Sequence, residues 1–137
     1  MNNLNWISAR NPMTYEEVLG RLQELGVSLP EEYCHMIGPI NGGALVDAFY
    51  EDAKLGKIAY SRNIDLSKKA RIDVVTIISI LNDIEIKYFP IASVGNGDYY
   101  CFNLKNLKIE LFLHELQKHV PLCDSFQNML NNLRCDC

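Results

Sequence analysis

Long apolar runs are missing from this chain of 137 residues. The densest, Val74 to Leu81, carries Thr76 and Ser79 and falls far short of the roughly 20 residues a bilayer-spanning helix needs. No membrane contact is expected. A secretory leader is missing too: Met1-Asn2-Asn3-Leu4-Asn5-Trp6 has neither a basic start nor an apolar core, which makes the chain cytoplasmic by expectation. Positive charge is not in excess. Thirteen basic against seventeen acidic residues leave a net charge of −4, whereas nucleic-acid binders need cations to neutralise phosphates. Direct contact with nucleic acid is therefore not expected. Mild acidity suits a meeting with a basic protein surface, and it equally serves solubility. The five cysteines, Cys34, Cys101, Cys123, Cys135 and Cys137, are odd in number and irregular in spacing, which argues against a disulfide framework. Cys135-Asp136-Cys137 reads as reduced thiols in a tail, with metal binding or oxidation as the alternative. Internal repeats and low-complexity linkers are also lacking.

What is present suits a soluble globular protein. Hydrophobic residues make up 48% and charged residues 22%, which excludes disorder on composition. The length fits a single domain over residues 1–137, with a core over about residues 13–134.

Thr14 and Glu17 form a capping-box pattern ahead of Tyr15, Val18, Leu19, Leu22 and Leu25, with Gly26 as a stop. This predicts a helix over 14–25 whose apolar stripe leaves Arg21, Gln23 and Glu24 off its centre. A shorter helix follows, capped by Ser28 or Leu29, with Pro30 in its first turn, Glu31 and Glu32 at its positive end, and Gly38-Pro39 as its end. Asn41-Gly42-Gly43 supplies a sharp change of direction. Strands are expected over 44–50 and 57–61 around a charged turn, and 62–71 reads as a surface connection. The segment 72–81 is apolar without period-two alternation, which favours a buried helix ended by Asn82-Asp83. Ile84-Glu85-Ile86-Lys87-Tyr88 then resumes as a strand. The strongest local signal is Phe89 to Leu104, where two β-prone runs flank Gly95-Asn96-Gly97-Asp98, a hairpin. Residues 109–113 alternate as a further strand, and 124–133 form a closing helix with Phe126, Met129, Leu130 and Leu133 inward. Helices, then strands, then a helix indicate an α+β fold with a central antiparallel sheet flanked by helices.

Catalytic constellations compete poorly. His114-Glu115-Leu116-Gln117-Lys118-His119 resembles a zinc-protease helix, but that motif needs its histidines four apart, about 40° on a helix, and here they are five apart, about 140°. Cys34 and His35 are adjacent and point apart, so they make no nucleophile–base pair. Gly95-Asn96-Gly97-Asp98 precedes a strand rather than a helix, has no partner lysine, and carries an acid that would repel phosphate. No catalytic residue, metal or cofactor is expected.

Leu29-Pro30-Glu31-Glu32-Tyr33 followed by Asn41-Gly42-Gly43 resembles the opening of the SUKH superfamily, the Smi/Knr-like proteins. Phe89-Pro90-Ile91-Ala92 with Gly97 to Leu104 is similar to that family's central hairpin, Leu113-His114-Glu115 to its "HE" step, and Asp124-Ser125-Phe126 through Leu133 to its closing helix. Asn103 departs from the aspartate common in the family, and so does the isoleucine-rich stretch 72–81. The resemblance implies a non-enzymatic immunity protein that binds and neutralises a cognate bacterial toxin, many such toxins being nucleases. It also leaves room for a regulatory scaffold like the eukaryotic relatives, which carry long extensions this sequence does not show. A small hydrolase using His114, Glu115 and a cysteine is the third reading.

With a protein partner implied, the candidate contacts are Glu31, Glu32, Asp47, Tyr50, Glu51, Asp52, Asp98 and Tyr99. Gathered on one face, the acids would mimic phosphates and plug a basic cleft, with a tyrosine as anchor. The alternative is an ordinary solvated surface. Tyr99 and Tyr100 must point to opposite faces of their strand, so one leaves the main core. The toxin is the expected partner, and the chain itself is expected to be a monomer or weak homodimer.

Overall fold

The computed structural model describes residues 4–135, and its first helix begins where the capping box places it. In α1 (Tyr15–Leu25), Thr14 Oγ1 accepts from the Glu17 amide at 3.1 Å and Glu17 Oε1 accepts from the Thr14 amide at 2.9 Å. Gly26, at φ 73°, closes the helix in the left-handed region. Arg21 is not off the buried stripe as expected: it is 8% exposed, and its Nε donates to the Leu66 carbonyl at 2.8 Å. Its long stem packs inward while the guanidinium reaches Asp73.

α2 (Glu31–Ile37) takes Pro30 as its N-cap rather than in its first turn, and it runs on into a 3₁₀ turn at Gly38–Ile40 instead of stopping at Gly38-Pro39. β1 (Ala48–Asp52) and β2 (Gly56–Ala59) form a hairpin with a shorter first strand than expected, because Ala44 makes only isolated bridges to Ile7 and Arg62. The stretch 62–71 is no surface connection at its start. β3 (Arg62–Asn63) adds to a sheet, and Asn63, Ile64 and Leu66 are buried. α3 (Val74–Leu81) is the helix expected over 72–81, capped by Asp73, whose carboxylate accepts from the Val75 amide. β4 (Tyr88–Ser93) and β5 (Tyr99–Asn103) are the expected hairpin, and β6 (Ile109–Leu113) the expected strand. Residues 84–87 do not form a strand: they pass outside the sheet.

Besides β3, two more strands are additions to the sequence reading. β7 (Lys118–Cys123) pairs with β6 as an edge strand, which is where a proline such as Pro121 is tolerated. α4 (Phe126–Asn131) ends before Leu133, and β8 (Leu133–Cys135) pairs with β1. The α+β reading holds, with two antiparallel sheets in place of one: β2-β1-β8 and β3-β4-β5-β6-β7. The reading of the Cys135–Cys137 tail falls on residues that extend outside those described.

The main core lies between the helices α1, α2 and α4 and one face of the five-stranded sheet. Tyr33 stands edge-on to both Phe102 and Phe126, with ring centres 5.3 and 5.2 Å apart. Tyr100, buried as the inward member of its pair, donates its hydroxyl to the Ile58 carbonyl at 2.9 Å and so ties β5 to the smaller sheet. α3 packs along β4: its Val74, Ile77 and Ile78 join the main core, and its Leu81 joins Cys101 and Phe112 in a second, smaller cluster.

Among the described residues, one polar atom of this core has no partner. The Tyr33 hydroxyl is buried without a hydrogen bond, and burial drives its pKa up so that it stays neutral. A buried orphan of this kind costs about 1–3 kcal/mol. Tyr33→Phe keeps the ring contacts and removes the orphan, so it should raise the urea midpoint, by about 1 kcal/mol of added stability. A lowered midpoint would mean the hydroxyl is satisfied after all.

Candidate functional site

The acids proposed as partner contacts are spread over several elements. Glu31 opens α2, accepting from the Tyr15 hydroxyl at 2.7 Å and pairing with His35 at 3.2 Å; Glu32 beside it is exposed. Asp47 precedes β1 with φ 52° and is exposed. Glu51 is exposed opposite Lys57 across the β1–β2 ladder. Asp52 serves the hairpin turn, where its Oδ2 accepts from the Lys54 and Leu55 amides at 2.9 and 3.0 Å.

Three of the eight candidates sit differently from the expectation. Tyr50 is buried, because β1 turns Ala48 and Tyr50 inward, and desolvation with the nearby Cys123 thiol raises its pKa to about 12. It is a packing residue. Asp98 is mostly withdrawn from solvent: its Oδ1 meets His114 Nδ1 at 2.5 Å and the His114 amide at 2.9 Å, pinning the β4–β5 turn to the end of β6. Tyr99 is the outward, half-buried member of its pair, at the margin of the main core, and it lines a recess with Arg10, Arg62, Arg71 and Asp65. Of the candidates, Tyr50 and Asp98 are thus engaged inside the protein, while Glu31, Glu32, Asp47 and Glu51 stay exposed.

The histidines behave as structural residues. His114 holds Asp98, and His119 lies on β7, so the pair shares no helix. The His119 ring stacks on Tyr88 with centres 3.5 Å apart, and its Nε2, facing the Leu81 carbonyl at 2.9 Å, must be the protonated nitrogen. Its Nδ1 lies 3.6 Å from the Cys101 sulfur, whose pKa burial pushes far up, leaving an inert thiol. Cys34 is buried while His35 stacks on Tyr15 at the surface. Among the described residues, no three His, Cys, Asp or Glu side chains gather to hold a metal ion, and no helix is long and apolar enough to cross a membrane.

The most unusual surface follows α3. Asn82 clamps the turn after the helix: its Nδ2 donates to the carbonyls of Ile78 and Tyr88 at 2.8 and 2.9 Å, and its Oδ1 accepts from the amides of Lys87 and Tyr88 at 2.8 and 2.9 Å. The loop so fixed raises Ile84 to 99% exposure, with Ile86 and Ile80 also exposed nearby in sequence. Beside it lies a groove of about 690 Å³ whose walls include Ile80, Ile84, Tyr88, Phe112 and His119. Gln117 of the β6–β7 turn lines the same groove, and Leu116, next to it in sequence, is exposed. The alternation of residues 84–88 that suggests a strand is the only sequence trace of this loop.

The conserved-domain model described as the SMI1 / KNR4 family (SUKH-1) matches residues 12–132. The chain belongs to that family. The SUKH-1 match runs from just ahead of α1 through α4, so both sheets up to β8 and the clamped loop lie inside it. No curated protein matches the chain.

Proposed function

We propose that this SUKH-1 protein is an immunity factor: it performs no chemistry of its own and neutralises a cognate bacterial toxin by binding and occluding it. Membership of the family supports a binding role, and the observation that carries the reading is the clamped loop. An isoleucine held almost wholly in water by an ordered turn, with Ile80, Tyr88 and Phe112 among the walls of the adjoining groove, suits a surface that a partner covers. Ile84 and Ile86 would be the apolar anchors, and Asp83 and Glu85 between them a polar surround. The exposed acids Glu31, Glu32, Asp47 and Glu51, with the net charge of −4, would steer a basic toxin surface such as a nuclease cleft.

Co-expression with the toxin encoded beside its gene tests this in a host the toxin kills. The wild-type chain should restore growth, and the Ile84→Asp/Ile86→Asp chain should fail to do so while remaining folded. Lack of rescue by the wild type, without a recoverable complex, would contradict the immunity reading.

A further inference from the structure

At the other end of α3 the protein builds a second, quite different surface. Although the chain is acidic, three of its five arginines, Arg10, Arg62 and Arg71, line one recess of about 170 Å³. Arg62 is fixed there: its Nη1 donates to the carbonyls of Ser8 at 3.0 Å and Gly42 at 2.5 Å, so the orientation of its guanidinium is set by backbone. Burial and then the charge of Arg10 lower its pKa, which places two guanidiniums within electrostatic reach of each other.

The one carboxylate of the recess does not answer them. Asp65 Oδ1 accepts from Asn41 Nδ2 at 2.7 Å and from the Ser67 amide at 2.9 Å, and its Oδ2 accepts from Asn11 Nδ2 at 2.6 Å. Among the described residues, neither Arg10 nor Arg71 forms an ion pair. Three guanidiniums against one carboxylate leave an excess of two positive charges. The Ser93 and Tyr99 side chains complete the wall. Fully buried Asn41 binds the segments carrying Arg10 and Arg62 together, so the recess is part of the framework.

We propose that this recess is a binding site for a dianionic phosphoryl group, free or carried as a phosphate ester. The forked guanidinium suits phosphate oxygens bidentately, and the local charge excess matches the dianion. The recess volume admits a phosphoryl group. The site is separate from the clamped loop and does not depend on the toxin reading.

A ¹H–¹⁵N NMR titration of the full chain with inorganic phosphate tests it, at ionic strength held constant with chloride. Saturating shifts are expected at the amides of Gly42, Asn63 and Tyr99. Arg10→Gln/Arg71→Gln alters two exposed side chains, so it should keep the native spectrum and weaken binding by about tenfold or more. A capped phosphoserine peptide distinguishes the source. Tighter binding than inorganic phosphate assigns the group to a polypeptide, and equal or weaker binding assigns a free ion or small ester. Shifts that chloride reproduces, that never saturate, or that persist unchanged in the double variant would overturn the proposal.

Discussion

Asn41→Ala should destabilise the protein by about 3–5 kcal/mol, because it strands buried polar groups on three segments at once. Asn41 is fully buried. Its amide nitrogen donates to the Asn11 carbonyl at 2.8 Å and to Asp65 Oδ1 at 2.7 Å, and its oxygen accepts from the Leu66 amide at 2.8 Å. The chain before α1, the turn at Gly42 and the stretch after β3 thus meet on one side chain. Alanine leaves the Leu66 amide unpaired and takes a donor from Asp65, whose pKa is held down, against the upward pull of burial, by bonds from Asn11, Ser67 and Asn41. Urea denaturation reads the loss directly. A change below about 1 kcal/mol, the size of an ordinary surface substitution, would show that the network is not what joins these segments.

Gly38→Ala comes second in size and works through a close approach rather than a special dihedral. Gly38 has helical φ −50° and ψ −61°, which any residue can adopt. A Cβ there would overlap the Met13 carbonyl oxygen, which cannot swing aside because the Met13 amide donates to the Gly38 carbonyl at 2.9 Å. The chain before α1 and the end of α2 touch backbone to backbone at this point. Accommodating one methyl means separating them, at about 2–3 kcal/mol by the scale of overpacked sites. Gly20→Ala, with nothing near its Cβ, is the control, and should be neutral or slightly stabilising because alanine is the better helix former. Equal melting temperatures for the Gly38 and Gly20 variants would refute the close-contact account.

What the sequence made legible was local. The α1 caps, the β4–β5 turn and the apolar density of α3 each announce themselves within a few residues, and all three elements formed. Elements whose existence depends on distant partners were hidden. β8 is three residues long and is a strand only because β1 lies beside it, and β3 has two residues on the edge of β4. β7 was masked by Pro121 and by a turn that needs Gln117 at φ 50°. Residues 84–88 alternate like a strand, but the Asn82 clamp diverts them, and a side chain bonding across six residues leaves no periodic mark.

The candidate site followed the same division. Exposure of Glu32, Asp47 and Glu51 agreed with their polarity. Tyr50 was misplaced because β1 turns it, with Ala48, into the main core, and Tyr99 because the arginines that line its recess come from elsewhere in the chain. The exposed isoleucines showed only as the alternation of residues 84–88, and the arginine recess left no local mark, because Arg10, Arg62 and Arg71 are distant in sequence and line one recess only in the folded chain.

The most direct measurement is the affinity of the purified chain for its toxin, by titration calorimetry, set beside that of Ile84→Asp. The account predicts tight equimolar binding, weakened by about 2–4 kcal/mol when an anchor side chain becomes a charge, with the melting temperature of the free protein unchanged. Wild-type and Ile84→Asp proteins binding the toxin equally well would contradict the assignment of the clamped loop as the surface that recognises it.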